Sequence, residues 1–139
     1  MAQIILDLER AENIIEDSQG SIFYLDFGQM TAVEDLLIVT VPMKKDYLNT
    51  EGVIQGGILY TICDQAMAVY DLAAGEKGIG TEGSIRHYRP AFAQDVLKAV
   101  VSCRKRGRTM SYYQVELFNQ DDKLIADAMF ASFYGRTPV

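Results

Sequence analysis

QGGILYTICDQAMAVYDLAA, residues 55–74, decides the fold. The segment opens on the glycine pair Gly56 and Gly57 and continues through Ile58, Leu59, Ile62, Cys63, Ala66, Met67, Val69 and Leu72 without a proline. Apolar side chains occupy most of the circumference of such a helix, which is sustained only where neighbours cover it on most sides. Asp64 and Asp71 interrupt the run, and it falls short of the ~20 apolar residues a membrane span requires. It reads as a core helix. Gly75, followed by Glu76, Lys77 and Gly78, is the expected stop signal.

Beyond this helix the pattern changes to period two. Residues 79–88 read as a strand closed by Arg89 and Pro90. In residues 95–104 one face carries Leu97, Ala99, Val101 and Cys103, and in 111–118 one face carries Tyr113, Val115 and Leu117. The RKRGRT turn between these two strands is expected to hold Gly107 at positive φ. NQDDK then leads into a last strand over residues 124–134. Before the central helix, Ile4, Leu8, Ala11, Ile14 and Ile15 recur at helical spacing, which predicts an amphipathic helix ended by DSQG at residues 17–20. Two strands are expected at 21–27 and 36–41, separated by a polar joint at 28–32, with a polar loop at 44–53 after Pro42. The implied architecture is α+β, a twisted antiparallel sheet of about six strands wrapped around one long helix, plus an N-terminal helix within residues 1–17. Such a sheet leaves open edges, so at least a dimer is expected.

At 139 residues the chain has the size of one domain, taken here as residues 1–139. Apolar residues make up 49% and charged residues 23%, which suits a chain folded throughout. A net charge of −6 disfavours a nucleic-acid partner, which needs a basic surface. The acidic start MAQIILDLERAE is unlike an export signal, no membrane anchor is read, and a cytoplasmic location is expected. No DNA-binding segment is read ahead of the domain. Cys63 and Cys103 lack metal-ligand spacing and read as buried thiols in a reducing compartment. With His87 as the single histidine, no metal site is expected.

Gly57, Tyr60, Thr61, Asp64, Ala68 and Asp71 fall near one stripe of the central helix. Either this stripe is the solvated face and Asp64 an ordinary surface acid, or it faces a cleft in which partial desolvation keeps the carboxylate basic enough to activate water. At the helix start, Gln55, Gly56 and Gly57 present N–H groups at the positive end of the helix dipole, suited to a developing oxyanion. The glycines also fit a bland account, a tight entry against a neighbour. Asp64 lies eight residues beyond Gly56, roughly 12 Å along a helix. An oxyanion held at that helix end is therefore out of its reach, but within reach of a carboxylate from a second copy.

The series Asn49, Gly52, Gln55, Gly56, Gly57 and Asp64 resembles the signature of the hotdog-fold acyl-CoA thioesterases of the PaaI-like, phenylacetate-type group. SIRHYRPA at 84–91 is similar to the strand after that family's central helix, and RKRGRT to its basic hairpin. The resemblance implies hydrolysis of acyl-CoA to acid and CoA without cofactor or metal, by homodimers that usually pair into tetramers. It implies that the Gly56 N–H polarises the thioester carbonyl, that Asp64 of the other subunit is base or nucleophile, and that Asn49 positions the water. Gln55 stands where the family most often has histidine; as an amide it is expected to help hold the thioester carbonyl by donating a hydrogen bond, or to orient neighbours, but it carries no proton. Gly80 stands near a position where the family often has a hydroxyl, for which Thr81 is the available substitute. Gly57 and Thr81 are expected beside the substrate. Arg89, Arg104, Arg106 and Arg108 either meet the CoA phosphates or form, in the hairpin, a solvated tip. His87 stands where an aromatic is common, and a packing or interface role is expected for it. Two other readings remain: a non-catalytic acyl-CoA-binding protein, which the Gln55 departure keeps in play, and a hotdog dehydratase or hydratase, which lacks the histidine it needs near the central helix.

Overall fold

Helix α2 spans Gly56–Ala73 and buries Leu59, Ile62, Cys63, Ala66, Met67, Val69, Tyr70 and Ala73. A computed structural model of the chain describes residues 3–18 and 27–135. Before α2 come helix α1 (Leu8–Asp17), strands β1 (Met30–Val33) and β2 (Leu36–Pro42), and a 3-10 turn at Lys45–Tyr47. After it come β3 (Gly78–His87), β4 (Val96–Arg106), β5 (Met110–Phe118) and β6 (Leu124–Tyr134). The strands form one antiparallel six-stranded sheet in the order β1-β2-β4-β5-β6-β3, wrapped on α2. Period-two faces supply the lining, with Leu37, Val39 and Val41 of β2, Leu97, Ala99 and Val101 of β4, and Tyr113, Val115 and Leu117 of β5 all buried. Burying each such Leu, Ile or Val contributes about 1.5–3 kcal/mol relative to leaving it exposed.

The C-terminal end of α2 is closed several times over. Gly75 adopts φ +85°, its N–H reaches the Leu72 carbonyl at 3.1 Å and the Glu76 N–H reaches the Asp71 carbonyl at 2.8 Å. This double bond pattern is a Schellman cap, for which glycine is suited. The guanidinium of Arg10 donates to the Leu72 carbonyl (3.2 Å) and the Ala73 carbonyl (2.7 Å), placing a cation on the negative end of the helix dipole. Thus α1 docks by capping α2.

Three expectations change and a fourth lies outside the described residues. Helix α1 begins at Leu8 rather than near Ile4, because the Asp7 side chain accepts from the Arg10 N–H as an N-cap; Ile4 is buried ahead of it. The expected strand at 21–27 lies outside the described residues, apart from Phe27, which is in no strand. The expected polar joint at 28–32 instead runs into β1, and the reversal falls at Glu34 and Asp35, with Glu34 at φ +56°. That turn is held by the Tyr70 hydroxyl, which donates to the Asp35 carbonyl at 2.7 Å, a contact from α2 that local sequence does not reveal. Gly107 is not at positive φ. Glycine is needed there because a Cβ would overlap the Met110 carbonyl, which accepts from the Gly107 N–H at 2.8 Å.

Candidate active site

Strand β3 lies antiparallel beside α2, and its glycines set the spacing. A Cβ on Gly78 would overlap the Asp71 carboxylate and the Ser132 hydroxyl, and one on Gly83 would overlap the Tyr60 hydroxyl and the Phe130 ring. At Gly80, between them, a Cβ would meet only Met67 at 3.6 Å and Asp64 at 3.7 Å, an ordinary contact distance. At the far end of the strand, His87 lies against Gly56. Residues 71, 64, 60 and 56 of α2 therefore meet 78, 80, 83 and 87 of β3 in turn.

The stripe drawn from sequence divides accordingly. Asp71 is 2% exposed. Its carboxylate accepts from the Tyr113 hydroxyl and from the Ser132 hydroxyl at 2.7 Å, and the Tyr113 and Tyr134 hydroxyls are 2.7 Å apart. Burial pushes the Asp71 carboxyl above its ordinary range, against the pull of these hydroxyls. Asp71 belongs to the core and not to a solvated face. Asp64 is half-buried beside Tyr60, Gly80, Thr81, Gly83 and Phe130, in a depression of about 200 Å³. Its carboxylate has no hydrogen bond or ion pair among the described residues, and burial raises its pKa too. An acid that the fold does not use, made more basic by desolvation, is suited to accept a proton.

A second cleft, of about 380 Å³, opens at the N-terminal end of α2 and is lined by Asn49, Val53, Ile54, Gly56, Leu59 and the run from His87 to Ala91. The Gly56 and Gly57 N–H groups have no acceptor among the described residues. Gly56 touches His87, so a tight entry explains it. A Cβ on Gly57 would meet nothing within 4 Å, so steric need does not explain the second glycine. The Asn49 side-chain oxygen accepts from the N–H groups of Glu51 (2.9 Å) and Val53 (3.2 Å), and Gly52 takes φ +78°, so Asn49 shapes the loop that walls the cleft. Gln55 is the N-cap residue of α2, yet its side chain makes no cap bond; it is exposed, its Nε2 is 3.5 Å from the Leu48 carbonyl, and it does not line the cleft.

Thr81 sits at a β-bulge between Gly80 and Glu82, with its hydroxyl 3.4 Å from the Ala131 carbonyl, at the Asp64 depression. Of the cations, only Arg89 lines the cleft. Arg106 pairs with Glu76 at 2.8 Å and reaches the Ala74 carbonyl, Arg104 donates to Gln114, and Arg108 is exposed. Arg106 thus sits at the opposite end of α2, roughly 25 Å from Gly56 by helix rise. Within one copy the structure does not bring the hairpin cations to the cleft. Cys63 is buried and Cys103 partly so. The contact between His87 and Gly56 was missed from sequence, since no local pattern announces it.

Residues 51–126 match the family model of the thioesterase superfamily. Over 93 residues the chain is 30% identical to acyl-coenzyme A thioesterase PaaI of Escherichia coli, covering 67% of this chain and 66% of that protein, just under two thirds of its length. A Streptococcus mutans protein solved bound to acetyl-CoA superposes with TM-score 0.78 at 26% identity, covering 86% of this chain and 96% of that one. The structure of Escherichia coli PaaI, from the phenylacetic acid degradation operon, superposes with TM-score 0.81 at 24% identity over 94% of both chains and shares the hotdog fold.

Proposed function

The chain belongs to the thioesterase superfamily, and from that premise we propose that it hydrolyses an acyl-CoA thioester to free acid and CoA at sites shared between two copies. The observation that carries this reading is Asp64, a half-buried carboxylate raised by desolvation and left without a hydrogen-bond partner among the described residues. Asp64 of the partner subunit takes a proton from water, whose oxygen attacks the carbonyl carbon. The charge that develops on the carbonyl oxygen is held by the Gly56 N–H at the helix dipole. The carbon–sulfur bond then breaks, and CoA leaves as the thiol after taking up a proton. Asn49 helps to orient the water. The likeness to a chain bound to acetyl-CoA supports the substrate class. Arg89, at the cleft, is the cation within one copy available to a CoA phosphate; Arg104 and Arg108 serve only if another copy supplies them.

The ladder between β3 and α2 supports shared sites. Strand β3 is an edge of the sheet, and all its residues but Ile85 are exposed. Two such edges paired antiparallel about their midpoints set Gly80 of one copy opposite Ile85 of the other, two residues from His87. This brings Asp64 of the partner subunit toward Gly56, and covers an edge that would otherwise invite aggregation. A dimer of such dimers, working in a reducing cytoplasm without cofactor or metal, completes the reading. The test is thiol release over short, medium, long and aryl acyl-CoA substrates, with Asp64→Asn as control. Release by the wild type and its loss in the variant are expected. Binding without release over the whole panel would make the chain an acyl-CoA-binding module instead.

A further inference from the structure

We infer that His87 supplies the second hydrogen bond to the thioester carbonyl oxygen, alongside the Gly56 N–H, and that Gln55 does not. The inference rests on the proposed hydrolysis and assigns a residue within its site. Oxyanion stabilisation works through donors that converge on the point where charge develops, and a side-chain donor beside the free Gly56 and Gly57 N–H groups adds to that convergence. Of the side-chain donors near the start of α2, Asn49 and Arg89 are assigned to the water and the CoA phosphate, which leaves Gln55 and His87, and the structure separates these two. Gln55 is exposed, stays out of the cleft and has its amide nearest the Leu48 carbonyl.

His87 ends β3 in register with Ala126, on the face of the strand turned toward α2. Its Nε2 lies 3.3 Å and its Cε1 3.4 Å from where a Gly56 Cβ would stand, so the edge of the imidazole stands beside Gly56 at the mouth of the helix. Glycine at 56 is what admits the ring this closely. Both residues line the cleft with Asn49 and Arg89. Neither ring nitrogen has a hydrogen-bond partner among the described residues, so the ring can take the tautomer with its proton on Nε2 and donate from there to a ligand. His87 is exposed in a single copy, so its nitrogens open onto the cleft rather than onto a protein partner, as a donor to a ligand requires. The donor sits on a paired strand rather than on a loop, where its position is better fixed.

The experiment measures kcat and KM for thiol release by His87→Phe, His87→Gln and Gln55→Ala. His87→Phe keeps an aromatic ring but loses the donor, and is expected to lower kcat by ~10²-fold, the effect of one lost oxyanion donor, with KM little changed. His87→Gln restores an amide N–H and should recover part of that loss, while Gln55→Ala should stay near the wild type. Full kcat in His87→Phe, a loss in Gln55→Ala instead, or no advantage of His87→Gln over His87→Phe would each overturn the assignment. If Asp64→Asn abolishes release while His87→Phe leaves it intact, only this inference fails. If the wild type releases no thiol from any substrate, the proposed hydrolysis fails with it.

Discussion

Asp64 and Asp71 stand two turns apart on the same side of α2, and the protein treats them in opposite ways. Around Asp71 the fold closes: Gly78 makes room for the carboxylate, Tyr113 and Ser132 donate to it, and Arg10 and the Gly75 cap seal the helix end beyond. Around Asp64 nothing among the described residues donates, and Gly80 leaves the space beside it unfilled. A buried acid with its hydrogen bonds satisfied is a structural part. A half-buried acid without them is held in readiness, at a cost in stability that a purely structural residue would not incur.

Removing each carboxylate in turn should separate the two roles. Asp64→Asn should lower kcat by ~10²–10⁴-fold and leave the urea midpoint nearly unchanged. Asp71→Ala should do the reverse. It strands the buried Tyr113 and Ser132 hydroxyls at about 1–3 kcal/mol for each unsatisfied group, read as a lower urea midpoint, with activity per folded molecule retained. If Asp71→Ala abolished turnover without moving stability, the division of roles would be wrong.

The glycines of β3 sharpen the same contrast. Gly78→Ala and Gly83→Ala force overlap with Asp71 and Tyr60, and overpacking of this kind costs about 1–3 kcal/mol. Gly80→Ala meets only ordinary contacts and should leave the melting temperature within a degree or two of the wild type, on the order of a few tenths of a kcal/mol.

The smallest effect is in pH. The Asp71 pKa is raised in the folded state, so its protonated form favours folding, and that contribution is lost as pH rises through the folded value. Relative to Asp71→Asn, the wild type should therefore gain stability as pH is lowered from neutrality toward the ordinary carboxylate value of ~4. A gap between the two that stays constant over this range would contradict the raised value.

The central helix, its stop at Gly75 and the alternating faces of β4 and β5 were legible because each is a local pattern with one physical solution. The turn at Glu34 and Asp35 was not, since Tyr70 holds it from α2. Gly107 was read by conformation when its reason is the nearness of the Met110 carbonyl. Spacing grouped Asp64 with Asp71 correctly as neighbours on a helix, but whether each meets hydroxyls or open space depends on β3, β5 and β6. The pairing of His87 with Gly56 spans 31 positions and rests on how β3 lies along α2.

A site made by one helix end and the Asp64 of another copy can be taken apart with mixed dimers. Gly56→Pro removes the N–H donor at the first helical position, where proline is tolerated, and Asp64→Asn removes the base; each homodimer should be inactive. Heterodimers of the two, purified through different tags, carry one intact site of two and should show about half the wild-type rate. Heterodimers as inactive as their parents would contradict a site shared between subunits.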